Sequence, residues 1–129
     1  MKKFNTVFIV DDDIVFHFII KKLFSRCETK FNTNYFLNGH EAIEEIKKSN
    51  FIPDLILLDI NMPIYDGWQF LVEFTKIKES FNKEIVIYLI SSSEDISDIN
   101  KVSKYKDLTI KICNKPLTME AFEKIFVEI

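Results

Sequence analysis

Residues 55–68 read LILLDINMPIYDGW, and this stretch decides the fold. Leu55-Ile56-Leu57-Leu58 is continuously apolar, as a central strand buried on both faces should be. Asp59 ends the run. Asp66 then stands as a good helix N-cap, with Gln69 three residues later and Gly67 in the first turn. Phe70, Leu71, Phe74 and Ile77 follow at helical spacing. The stretch is therefore one strand, an acidic tip, a short loop and a capped helix.

The same unit recurs on both sides. Strand candidates lie near 5–10, 34–38, 54–59, 84–91 and 108–113. In the first helical pattern the apolar positions 15, 16, 19, 20, 23 and 24 should face inward, leaving His17, Lys21 and Ser25 on a polar, solvated face. The second should bury Ala42, Ile43 and Ile46 and pair Glu44 with Lys48. The fourth, Ile96, Ile99 and Val102, is the sparsest. The last carries Phe122, Ile125, Phe126 and Ile129 behind the cap Thr118, with Leu117 stapled onto Phe122.

Strand then helix, five times over, predicts an α/β fold: a parallel sheet covered on both faces. Residues 85–90 form a second central strand, whereas Thr109-Ile110-Lys111-Ile112 alternates, as a half-exposed edge strand would. No repeat, low-complexity tract or linker interrupts the pattern, so residues 1–129 are expected to be one domain without a second, output domain.

Bulk composition narrows the function. No apolar run approaches the roughly 20 residues of a membrane span, and the N-terminus lacks the pattern of a secretion signal. A cytoplasmic protein is expected. Seventeen basic against 20 acidic residues give −3, without a basic stripe, which argues against direct nucleic-acid binding. The two cysteines, Cys27 and Cys113, form no CxxC and read as reduced, partly buried thiols. Gly39 and Gly67 are the only glycines, so a phosphate-cradling GxxxxGK[ST] or GxGxxG loop is excluded, and most nucleotide-dependent enzymes of this fold class with it.

What remains is a constellation at the strand tips. Asp11-Asp12-Asp13 follow Val7-Phe8-Ile9-Val10, Asp59 follows 55–58, Ser91 follows 85–90, and Lys115-Pro116 follows 110–114. In open α/β sheets chemistry gathers at that edge. Each element has a bland reading: the first acids as a helix cap, Asp59 as a turn carboxylate, the serines as a cap, Lys115 as a surface lysine. Together they supply hard oxygen ligands for a divalent metal such as Mg²⁺ and a fixed positive charge beside it.

The joint pattern, FIVDDD at 8–13, LILLDINMPIYDGW at 55–68, LISSS at 89–93 and NKPL at 114–117, resembles the receiver domain of two-component response regulators over essentially the whole chain. The resemblance implies a doubly wound, flavodoxin-like sheet of order 2-1-3-4-5 and a stand-alone signalling domain rather than an enzyme. Asp59 would be the phosphoacceptor, taking a phosphoryl group from a sensor histidine kinase or histidine phosphotransfer protein. Asp11, Asp12, Asp59 and the backbone carbonyl of Asn61 would hold Mg²⁺, and Ser91 and Lys115 would bind the phosphoryl group. The family usually has a cis peptide before the proline, here Lys115–Pro116. Output would pass through contacts with a downstream protein, with a homodimer on the same face left open.

Some positions depart from the family. Ile112 stands where an aromatic is common, the usual Gly-Ala before the last strand is missing from 102–109, and the segment between Ser91 and Lys115 is slightly long. Tyr105, or packing around Ile112, is expected to carry part of the signal. Two other readings remain. Asp11-x-Asp13 after a strand resembles the opening of haloacid-dehalogenase-type phosphatases, with Asp11 as nucleophile, though no late acidic motif follows Lys115. The other is a receiver-like binding module that works without phosphorylation.

Overall fold

The computed structural model describes residues 5–48, 52–81, 83–91, 100–105 and 107–126. Five strands alternate with helices: β1 (Thr6–Val10), α1 (Ile14–Ser25), β2 (Asn32–Phe36), α2 (Gly39–Lys48), β3 (Leu55–Asp59), α3 (Gly67–Ile77) and a 3₁₀ turn at Lys78–Ser80. Then come β4 (Val86–Ser91), β5 (Thr109–Asn114) and a last helix at Met119–Phe126. Residues 100–102 are helical; the expected anchors Ile96 and Ile99 lie outside the described residues, as does Ile129.

All strand pairs are parallel, in the order β2-β1-β3-β4-β5. This is the expected doubly wound, flavodoxin-like sheet, with β5 at an edge. The central strands owe their unbroken apolar runs to cover on both sides. Phe8, Val10, Ile56, Leu58, Ile87 and Leu89 pack with α2 and α3. Val7, Ile9, Leu55, Leu57, Val86 and Ile90 pack with α1 and the last helix. Many of the phenylalanines serve that second layer: Phe24 meets Phe31, Phe122 and Phe126 at centroid distances of 4.9–5.5 Å. No helix among the described residues is long and apolar enough to cross a membrane.

The α1 face differs from the expected one. Phe16, His17, Ile20 and Leu23 are buried, while Val15 is 63% and Ile19 43% exposed. The inward stripe is 16-20-23, with His17 beside it, and a hydrogen bond brings the imidazole in where the periodicity had placed it in water. An apolar set, Ile14, Val15 and Phe18, is left facing outward. On α2, Ala42, Ile43 and Ile46 are buried as expected, but Glu44 lies 4.0 Å from both His40 and Lys47 rather than pairing with Lys48. Strand β2 begins two residues before its expected start, because the polar Asn32-Thr33-Asn34 hides an edge strand paired only to β1.

Helix starts follow their caps. Asp66 accepts from the Gln69 amide and Gln69 returns a bond to the Asp66 amide, each at 2.9 Å. Thr118 Oγ1 accepts from Ala121 at 3.0 Å. At the opposite end of the sheet, Asp54 accepts from the Asn5 and Thr6 amides at 2.8 Å and pairs with Lys83 at 2.7 Å, lacing β1 to β3.

Gly67 lets α3 begin against the main chain that follows β3. A Cβ there would stand 2.8 Å from Ile60 Cα and 2.9 Å from the Asp59 carbonyl oxygen, and backbone cannot swing aside. Gly67→Ala should therefore lower stability by about 1–3 kcal/mol through overpacking. Chemical denaturation would check this, and an unchanged midpoint would contradict the close approach.

Candidate functional site

The strand order reverses its winding between β1 and β3, and ligand crevices form at the carboxyl ends of strands flanking such a point. Asp11 leaves β1 there and Asp59 ends β3. Side-chain alternation explains their meeting. Asp11 continues Val7 and Ile9, Asp59 continues Leu55 and Leu57, and Lys115 continues Cys113, all toward the layer of α1 and the last helix. The tips thus deliver two acids and a base to one place.

Carboxylate oxygens of Asp11, Asp12 and Asp59 lie within 4.8 Å of one another, with Asp11 1% and Asp59 4% exposed and Asp12 open to solvent. Lys115 Nζ sits 2.9 Å from Asp11 Oδ2 and 3.6 Å from Asp59 Oδ2, with its ammonium 5.0 Å from the centre of the Phe16 ring. The Lys115–Pro116 peptide is cis, as expected. Although 2.9 Å from the ammonium, Asp11 Oδ2 has no directed hydrogen bond among the described residues. Coulomb attraction needs no alignment, so the pair is an ion pair that leaves a buried lone pair free. Asp11 Oδ1 accepts from the Asp13 amide at 2.8 Å, and Asp59 Oδ1 from the Asn61 amide at 3.1 Å. Asp13 caps α1 through Val15 at 2.9 Å.

Three carboxylates thus face one ammonium, and the electrostatics follow. Burial, and then the Asp11 charge, push the Asp59 carboxyl up to about 6, against the lowering influence of Lys115 and the Asn61 amide. For Lys115, burial opposes the charged form, but the neighbouring Asp11, Asp59 and Asp13 outweigh it and raise its pKa. The donor set is entirely hard oxygen, with surplus negative charge and a buried acceptor atom left without a directed bond. It fits a divalent cation of the Mg²⁺ kind.

Ser91 ends β4 at the same edge, one position beyond Ile90, the partner of Asp59, and is fully buried. It follows Ile87 and Leu89, so it faces the layer of α2 and α3, and its carbonyl accepts from the Lys115 amide at 2.8 Å. Ser92 and Ser93 lie outside the described residues. Ile112 is 37% exposed on β5. Trp68 stacks on Tyr105 at 6.4 Å and 15°, beneath Lys101. One participant escaped the sequence reading: His17 Nε2 lies 2.6 Å from the Asp11 carbonyl. Only the match of its spacing, six residues after Asp11, to a helical turn over the strand end could have signalled it.

Comparison with known proteins agrees with this geometry. Residues 7–125 match the response regulator receiver domain family, and the chain belongs to it. A two-component response regulator from Cytophaga hutchinsonii shares the fold with a TM-score of 0.81, at 24% identity, over 96% of this chain and 95% of that one. A response regulator receiver protein from Dyadobacter fermentans gives 0.78 at 28% identity, over 93% of both chains. The sensor histidine kinase CheAY of Helicobacter pylori is 31% identical over 83 residues, which are 64% of this chain and 10% of that protein. This chain spans a tenth of the length of that curated relative. It is thus a receiver domain of the two-component kind, a class of signalling domains, with an acidic pocket at the expected edge.

The raised Asp59 pKa has a thermodynamic consequence in metal-free protein. A carboxyl near 3.8 unfolded and about 6 folded binds its proton more tightly in the native state, so its contribution to stability falls as pH rises through that window. Asp59→Asn should therefore stabilise the chelator-treated protein at pH 7.5, by up to about 3 kcal/mol, and the gain should shrink toward pH 4. Thermal melts across that range would reveal it. An equal gain at both ends would refute the pH linkage.

Proposed function

We propose that Asp59 accepts a phosphoryl group from a phosphohistidine on a sensor kinase or phosphotransfer protein, in a Mg²⁺-dependent reaction in the cytoplasm. The observation that carries this reading is a nearly buried Asp59 sharing Lys115 with Asp11, beside a third acid. Asp11, Asp12, Asp59 and the Asn61 carbonyl would hold the ion. When bound, it would neutralise charge on the transferring phosphoryl oxygens.

An Asp59 carboxylate oxygen attacks phosphorus in line as the phosphorus–nitrogen bond to the donor imidazole breaks. The leaving imidazole takes a proton from solvent, and an acyl phosphate remains. Lys115, kept charged by its acidic neighbours, pairs with the phosphoryl group after transfer, and the Ser91 hydroxyl donates to it. Burial excludes competing water from the attack. Ile14, Val15 and Phe18 are exposed on α1, which follows the acids after β1, and Ile64 is 91% exposed in the loop after β3; such apolar surface suits contact with a donor protein.

Shifting the domain from mostly inactive to mostly active requires about 5.5 kcal/mol of preference for one state, within reach of a few charge-assisted hydrogen bonds. With the aliphatic Ile112 at the surface, the output runs partly through Tyr105. It stacks on Trp68, whose neighbour Gly67 donates its amide to the carbonyl of Ile60, the residue after Asp59, at 3.0 Å. A downstream protein would read the altered surface.

Phosphotransfer profiling with candidate kinases, followed by mass-spectrometric mapping, should place a base-labile phosphoryl group on Asp59 and none in Asp59→Asn. An adduct on Asp11 would favour the phosphatase reading, and absence of any adduct or Mg²⁺ response would favour a binding module. Lys115→Ala should permit slow phosphorylation but reduce the spectral change that follows by tenfold or more, roughly the loss of one charge-assisted contact. Tyr105→Ala should diminish phosphorylation-dependent amide shifts on β5; an undiminished response would remove Tyr105 from the switch.

A further inference from the structure

His17 is a buried polar side chain that the phosphotransfer reading does not use. It is 6% exposed and lies within the first turn and a half of α1. Its Nε2 stands 2.6 Å from the Asp11 carbonyl oxygen. A carbonyl only accepts, so Nε2 must carry the hydrogen. The ring is held in place on the β2 side by Tyr35, at 5.5 Å between centroids, and Lys21 in turn covers Tyr35 at 4.6 Å. The imidazole is thus a fixed post between α1 and β2, and its donor points at the end of β1.

The other polar atoms of Asp11 are accounted for, Oδ2 by charge alone. Its amide donates to the Phe36 carbonyl at 3.0 Å, Oδ1 takes the Asp13 amide and Oδ2 faces Lys115. The carbonyl is the remaining group, and it belongs to the same rigid plane as the Asp12 amide. Pinning that oxygen therefore sets the direction in which the chain enters Asp12. Asp12 is the exposed acid of the trio, so its carboxylate has no packed surroundings of its own to place it.

We infer that His17 is a positioning residue for the acidic pocket: by holding the Asp11 carbonyl it orients the Asp11–Asp12 peptide and so places the Asp12 carboxylate for a divalent cation. This rests on the metal-dependent reading above. Groups that orient ligands from behind change metal affinity without touching the ion. A purely structural His17 would instead affect stability and leave the affinity of the folded protein alone.

The test compares wild type, His17→Leu and His17→Gln by Mg²⁺ calorimetry and by amide NMR at Asp12 and Asn61. Thermal melts in chelator monitor the fold separately. His17→Leu should weaken Mg²⁺ by about tenfold or more, the usual loss for an orienting partner, whereas the Gln amide can donate the same bond and should stay within about threefold. Equal Mg²⁺ affinity in all three, or an equal loss in Leu and Gln, would overturn the inference while leaving the receiver reading intact. Wild type that ignores Mg²⁺ would overturn both. Should His17→Leu fail to fold, long-range ¹⁵N–¹H spectra of wild type decide. An Nε2–H tautomer whose ring signals move on adding Mg²⁺ supports the role; the Nδ1–H tautomer, or a ring indifferent to the ion, refutes it.

Discussion

Two nearly solvent-free carboxylates, Asp11 and Asp59, share one ammonium, and much else in the site follows from that imbalance. Opposite charges that close in a low dielectric attract strongly, but the cost of removing them from water is also large. Here the cost is only partly offset. Two acids are buried against one base, and a third stands at the mouth. The folded protein therefore holds unspent negative potential at one point of its surface. Three hard-oxygen acids at one point suit a divalent cation, which would offset that surplus charge.

The sheet makes this tolerable. Parallel strands with helices on both faces bury β1 and β3 completely, and the register of the pairs puts their ends level. The core supplies the rigidity that holds like charges together, and the acids add little to it. Burial also keeps Cys27 and Cys113 raised in pKa, and so less reactive, with Glu123 contributing at Cys27. Chemistry is thereby concentrated at the strand tips.

The fold was readable wherever residue type and position were redundant. The runs at 55–58 and 85–90, the Asp66–Gln69 capping box and the Thr118 cap all occur where they were expected. Asp11, Asp12, Asp59 and Lys115 were legible as strand-end residues, and the alternation of side chains accounts for their convergence. The α1 face was not legible: apolar residues cover more than half its circumference, so periodicity alone could not choose the inner stripe, and a hydrogen bond decided the place of His17. Glu44 chose Lys47 and His40 because surface ion pairs at neighbouring helical spacings differ little in energy. Strand β2 was displaced because an edge strand need not be apolar.

Asp11, Asp59 and Lys115 belong by alternation to the layer of α1 and the last helix, whereas Ser91 belongs to the layer of α2 and α3. The sheet keeps these two hydrophobic clusters apart along its whole width. Asp59 and Ser91 nevertheless end neighbouring strands, β3 and β4, at the same edge of the sheet. On the proposed phosphotransfer reading, an anion at that edge would be gripped from front and back at once, like a rivet through two plates, tying one hydrophobic layer to the other.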